Sequence, residues 1–270
     1  MQLSLSKAWE ECRRIFARDG SLLTAIALAL LVLPQIVTGV VTPAMHAEPS
    51  LGGRIVELLA ALTGVIGQLA IIRLALGPST TVAEAIRHGM RRFPAVLGAL
   101  ILLMLALMVI LVPVMAVLIA AGAIQVPASG AEPGGAFTMV ALLLGVACVL
   151  IAVRFMLTVP VASAEDVGPM TILKRSWRLS GGHFGRLLGL ELLLLVAAIV
   201  LLLTAQIVGG LVAEMIGGEI APFSLSALVF AVVMASAQAA FTVLASVMLA
   251  RVYAQLAGGG AEVSVPSSGT

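Results

Sequence analysis

Six apolar runs dominate this chain, at residues 21–43, 53–77, 95–123, 135–162, 186–212 and 223–256. Each matches or exceeds the ~20 residues that a helix needs to cross ~30 Å of hydrocarbon. Runs of that length with so little charge leave few folds open, because backbone N–H and C=O groups in hydrocarbon must pair within a helix or a closed barrel. A barrel would show strands of about ten residues alternating apolar and polar, whereas these runs are continuous Leu, Ala, Val and Ile. Only 10% of the residues are charged, against roughly 25% in soluble domains, which excludes an ordinary soluble protein. The sequence predicts an all-α integral membrane protein with six transmembrane helices.

The connectors MHAEPSLGG, VPASGAEPGG and EMIGGEIAP are too short for a soluble domain. One polytopic domain is therefore expected over 1–257, with the Gly- and Ser-rich stretch 258–270 as a flexible tail. Pro34 and Pro113 supply kink points within the first and third spans. The first run is expected to be retained. It follows a long segment, MQLSLSKAWEECRRIFARDG, that contains acidic residues, and it ends near TPAMHA without a small-x-small cleavage signature. Cys12 and Cys148 fall in a surface segment and mid-span, so packing is expected of them rather than a disulfide.

Charge is distributed unevenly over this map. Of fifteen Lys and Arg residues, all but Arg54 fall before span one, at the even-to-odd junctions or near the end of span six. The opposite connectors carry Glu48, Glu132, Glu214 and Glu219. The positive-inside rule then predicts cytoplasmic termini, here in a bacterial inner membrane, and an even number of spans agrees.

Three basic segments align without gaps: LSKAWEECRRIF from Leu5, VAEAIRHGMRRF from Val82 and PMTILKRSWRLS from Pro169. Ala8, Ala85 and Ile172 correspond, as do Cys12, Gly89 and Ser176, and Arg14, Arg91 and Arg178. Each segment precedes a pair of spans. This predicts three repeats of interfacial amphipathic helix plus transmembrane hairpin, at about 1–77, 78–165 and 166–257. Thr81 and Glu84 form a capping box. Pro169 suits a first helical turn, Glu165 and Asp166 suit the positive end of that helix, and Gly181-Gly182 offers a stop. Lys and Arg on such helices reach lipid phosphates, and Trp9 and Trp177 suit the same depth. Arg14, Arg91, Lys174, Arg175, Trp177 and Arg178 are the candidate headgroup residues.

Catalytic signatures are missing. The histidines His46, His88 and His183 are isolated, and there is no HExxH, CxxC, Walker loop or GxSxG elbow. No enzyme activity, metal or cofactor is expected. Among polar residues at depth, Glu191 stands out because an intramembrane carboxylate is costly unless paired, protonated or near the interface. Arg154 and Arg186 are its expected partners in a structural ion pair, the other readings being two snorkelling arginines with a near-surface Glu, or an ion or substrate site. Gln206 is expected to bond between helices.

The stretch RFMLTVPVASAEDVGPMTILKRSWRLSGGHFGRLL resembles the membrane domain of the glycerophosphoryl diester phosphodiesterase family. The resemblance rests on Arg154, Pro160, Glu165, Leu173, Arg175, Ser176, Trp177, Leu179 and Gly182, with Ile172 where that family usually has Ala. It implies a six-span membrane domain of undefined activity, fused in some relatives to a soluble catalytic domain that this sequence does not contain. The expected function is that of a non-catalytic membrane module engaging anionic phospholipid headgroups or a protein partner, with no nucleic acid. One alternative is a small transporter or lipid-translocating protein with a cavity near Glu191, Arg154 and Gln206. Another is an accessory subunit of a separate phosphodiesterase.

Overall fold

The computed structural model describes residues 4–42, 50–77, 81–120, 122, 135–217 and 220–261. The connector residues Glu48, Glu132 and Glu219 lie outside them, as does the tail beyond Ala261. The described chain runs through α1 (Leu5–Ala27), a π-helical turn (Leu28–Val32), α2 (Leu33–Val41), α3 (Leu51–Leu76), α4 (Val82–Ala120) and α5 (Gly135–Phe155). It continues through α6 (Thr158–Ala164), α7 (Pro169–Gly181), α8 (Phe184–Gly217) and α9 (Leu225–Ala261). Among the described residues, six helical stretches are long and apolar enough to cross a membrane: Leu5–Val41, Leu51–Leu76, Val82–Ala120, Phe137–Ala164, Phe184–Gly217 and Leu225–Gly258.

The basic leading segments differ from the expected separate helices. The first runs unbroken through α1 and the π turn into α2, and the second is the first third of α4. Nothing at residues 17–20 or 93–95 stops these helices. Pro94 lies inside α4, where the Ala- and Leu-rich run that follows sustains helix. Only the third segment ends, at Gly181, with Gly182 as its C-cap. The expected start signals form. Thr81 N–H donates to Glu84 Oε2 at 3.2 Å while Glu84 N–H donates to Thr81 Oγ1 at 3.3 Å. Pro169 occupies the first turn of α7. The π turn lies immediately ahead of Pro34, whose missing N–H would otherwise interrupt the ladder.

The helix α9 is the hub, packing against α8, α2, α3 and α1, and α3 packs along α4. Small residues permit the closest approaches. A Cβ at Gly89 would stand 2.8 Å from the Ile66 carbonyl oxygen, and one at Gly39 would stand 2.7 Å from Ala231 Cβ. The main core gathers Ile26, Leu69, Ile71, Val96, Leu157 and Leu187. Cys12 is buried and Cys148 is exposed, and both are free thiols.

Burial is concentrated toward one end. In α4 the buried side chains stop at Ala99, and none is buried from Leu100 to Ala120. In α5 none is buried from Phe137 to Ala152. The two helices follow one another in the chain, yet among the described residues they do not form a packed pair. Beneath them lies α7, which packs against both. A Cβ at Gly98 of α4 would meet Pro169 Cγ at 2.9 Å, so α4 crosses the start of α7. Phe155 of α5 meets Trp177 with ring centroids 5.6 Å apart, so α5 crosses nearer its end.

Candidate functional site

The polar chemistry collects where α5 breaks. After Phe155 the chain turns through Met156 and Leu157 before the short α6 begins. Such a break frees carbonyls that need donors. Ser176 Oγ and Ser180 Oγ of α7 both donate to the Arg154 carbonyl, at 3.0 and 3.2 Å. The guanidinium of Arg154 lies against two rings, 4.8 Å from the Trp177 centroid and 4.9 Å from that of Phe184. A weakly hydrated planar cation is attracted to both π faces.

The C-terminal end of α6 is capped in the same way from α4. Arg92 Nε donates to the Ala162 carbonyl at 2.9 Å, and His88 Nε2 donates to the Ser163 carbonyl at 2.9 Å. Cationic and donor side chains suit a helix C-terminus, where the carbonyls concentrate negative partial charge. Arg92 also pairs with Asp166, and Arg91 Nη2 reaches the same carboxylate at 3.1 Å. The charge of Arg92 and its hydrogen bond hold the Asp166 carboxyl below its ordinary range.

Next to it, Glu165 Oε1 accepts from Arg175 Nε at 3.0 Å and from Tyr253 Oη at 2.8 Å. These bonds tie the end of α6 to α7 and α9. Across the same end of the bundle, Arg251 Nε donates to Glu11 Oε2 at 2.8 Å and its Nη1 donates to the Ala75 carbonyl at 3.1 Å. A cleft of about 470 Å³ opens there, bordered by Glu11, Arg14, Arg18 and Arg251.

A second hollow, of about 420 Å³, lies on the outer face of α7 and is lined by Phe155, Leu173, Lys174, Trp177 and Arg178. Helical spacing builds it. Leu173 and Trp177 stack one turn apart beside Lys174 and Arg178, also one turn apart. Ile172, Ser176 and Ser180 form the opposite, buried face of the same helix. Neither Lys174 nor Arg178 has a carboxylate partner among the described residues. The hollow thus offers an apolar, aromatic floor next to two uncompensated cations.

The candidate headgroup residues accordingly separate. Lys174, Trp177 and Arg178 come together in the hollow, while Arg175 turns to Glu165, Arg91 to Asp166, and Arg14 borders the other cleft. The motif residues fall into two groups held by α7, Arg154 with Ser176 and Trp177 and Glu165 with Arg175, with Pro160 buried in the first turn of α6. Glu165 and Asp166 serve as ion-pair acceptors. The intramembrane group does not assemble. Glu191 is half-buried and has no ion pair among the described residues, so the expected pairing with Arg154 or Arg186 is not formed. Gln206 is exposed on α8, about four turns farther along.

Phe155, Tyr253 and Arg92 are the residues that sequence reasoning passed over. Phe155 sits beside Arg154 in the quoted motif, and Tyr253 is the chain's single tyrosine; both signals were visible. Among the described residues, no group of three or more His, Cys, Asp or Glu side chains is placed to hold a metal ion.

A protein-family model described as a domain of unknown function, DUF7847, matches residues 3–256. No curated protein and no solved structure matches the chain.

Proposed function

For a chain that belongs to the DUF7847 family over almost its whole length, we propose the role of a non-catalytic, multi-pass membrane module that engages anionic phospholipid headgroups. The observation that carries this reading is the hollow on α7, where Lys174 and Arg178, without a carboxylate partner among the described residues, stand beside Phe155, Leu173 and Trp177. A phosphate wants the cations, and the glycerol and upper acyl region want the apolar floor. Trp177 is half-exposed, as an indole at a lipid interface should be.

On this reading the polar end of the bundle faces the cytoplasm of a bacterial inner membrane, which accords with the distribution of Lys and Arg. A threefold repeat is part of the same proposal. Burial at corresponding positions supports it: Ala8, Ala85 and Ile172 are all fully buried, Cys12, Gly89 and Ser176 are buried, and Arg14, Arg91 and Arg178 are all exposed. The likeness to the glycerophosphoryl diester phosphodiesterase membrane domain is then one of membrane architecture.

The test is lipid retention in native mass spectrometry. Lys174→Glu with Arg178→Glu lowers retention of phosphatidylglycerol and leaves phosphatidylcholine unchanged. Equal retention of phosphatidylglycerol by both proteins rejects the proposal. One observation favours a second reading, lipid translocation: Glu191 is a half-buried carboxylate with no ion pair among the described residues. Glu191→Gln in a vesicle lipid-scrambling assay tests it, and unchanged scrambling removes it.

A further inference from the structure

The cleft of about 470 Å³ at the polar end of the bundle shares no residue with the α7 hollow. One stripe of α1 supplies Glu11, Arg14, Ile15 and Arg18, spaced three and four residues apart so that all face one side of the helix. The end of α3 closes it at residues 75–77, and α9 contributes Arg251. A cleft of this size takes a small molecule.

Its charges do not balance. Arg18 Nε and Nη2 donate to Asp19 Oδ2 at 2.9 and 2.7 Å. Arg251 Nε donates to Glu11 Oε2 at 2.8 Å, and its Nη1 donates to the Ala75 carbonyl at 3.1 Å. Each pair sets one cation against one carboxylate and leaves one guanidinium nitrogen, Arg18 Nη1 or Arg251 Nη2, without a protein acceptor among the described residues. Arg14 has no ion pair among the described residues. Arg91, aligned with it, is answered by Asp166 at 3.1 Å. The cleft therefore holds a whole uncompensated cation beside two spare donors.

The number of donors selects the kind of anion. A carboxylate offers two oxygens in one plane, which a single guanidinium fork satisfies. Donors from three guanidiniums on two helices suit the tetrahedral oxygens of a phosphate, to which the arginine fork is also matched. We propose that this cleft binds a terminal phosphate group, held by Arg14 with Arg18 Nη1 and Arg251 Nη2. The group belongs to a small soluble phosphate ester or to a lipid headgroup at the interface. The site goes beyond the headgroup reading of α7 and stands or falls independently of it.

The experiment has two arms. Full-length protein in maltoside micelles is titrated with inorganic phosphate and followed by phosphorus NMR line broadening, which detects weak binding. Retention of phosphatidic acid is read by native mass spectrometry in a Lys174→Gln, Arg178→Gln background, which removes the cations of the α7 hollow. Arg14 is exposed, so Arg14→Gln leaves the fold intact. Arg87, also exposed and outside the cleft, supplies the control Arg87→Gln. Loss of a charge-assisted contact weakens binding about tenfold in Arg14→Gln and leaves Arg87→Gln at the parent level. A loss confined to inorganic phosphate assigns a soluble ligand, a loss confined to phosphatidic acid assigns a headgroup, and loss in both arms assigns a site open to either. Equal losses in the two variants reduce the effect to overall charge and overturn the site. Binding of neither probe, or binding that ignores Arg14→Gln, also overturns it and leaves the α7 reading standing.

Discussion

Tyr253 Oη donates a 2.8 Å hydrogen bond to Glu165 Oε1 across 88 residues of chain, and Arg175 donates to the same oxygen at 3.0 Å. One carboxylate therefore joins α6, α7 and α9. Tyr253→Phe removes a single donor and lowers stability by about 0.5–1.5 kcal/mol. Glu165→Gln removes the ionic acceptor for two donors and costs more. Unfolding of purified protein in mixed micelles with increasing denaturing detergent measures both. A double-mutant cycle for Tyr253 and Arg175 gives a nonzero coupling, because the two donors share one acceptor.

Glycine substitutions separate packing from helix propensity. At Gly89 an added methyl group meets the Ile66 backbone carbonyl at 2.8 Å, which can yield only by moving α3 from α4. Gly89→Ala costs about 1–3 kcal/mol. Gly20, also helical, has nothing within 4 Å of an added Cβ, so Gly20→Ala raises stability by about 0.5–1 kcal/mol. Opposite shifts in the same micelle titration are the expected outcome.

Arg154 is held by rings as much as by hydrogen-bonding groups. Its contacts with Trp177 and Phe184 predict that Arg154→Met costs about 0.5–2 kcal/mol. The chain has two tryptophans, so a Trp9→Phe background isolates the emission of Trp177. Arg154→Met shifts that emission, and Arg13→Met on α1 leaves it unchanged.

Acid acts on Asp166. Arg92 holds its carboxyl below the ordinary 3.8, so the folded state binds the proton less readily than the unfolded one. The contribution of this pair is complete above about 3.8 and is lost as pH falls through the lower folded value. Asp166→Asn removes that part of the acid sensitivity, measured as the difference in unfolding midpoint between neutral and strongly acidic buffer.

Hydropathy made the six long helices legible, because an uninterrupted apolar run has one structural answer in lipid. The capping box at Thr81 and Glu84 and the stop at Gly181 were readable for a similar reason: each is local chemistry completed within a few residues. The continuity of the first two leading segments with their spans was hidden. Periodicity shows that Leu5–Phe16 has an apolar face but carries no mark of whether the helix bends afterward. The partners of Glu165, Asp166 and Arg92 were hidden too, since Tyr253 and the Ala162 carbonyl reach them only through tertiary packing. The motif around Arg154 was visible as letters, and its use of two serines to satisfy one freed carbonyl was not.

The thirteen residues of α7 give the membrane a fixed measure. A helix has an invariant rise, so the distance between its two crossing points is set in covalent geometry and cannot be tuned by side-chain repacking. Changing the spacing of those crossings along α7 takes the insertion or deletion of residues between Pro169 and Trp177. A whole turn, about 5.4 Å, is the smallest step that also keeps Ser176 under the Arg154 carbonyl's side of the bundle. The spacing of the two crossings is written in the chain as a residue count.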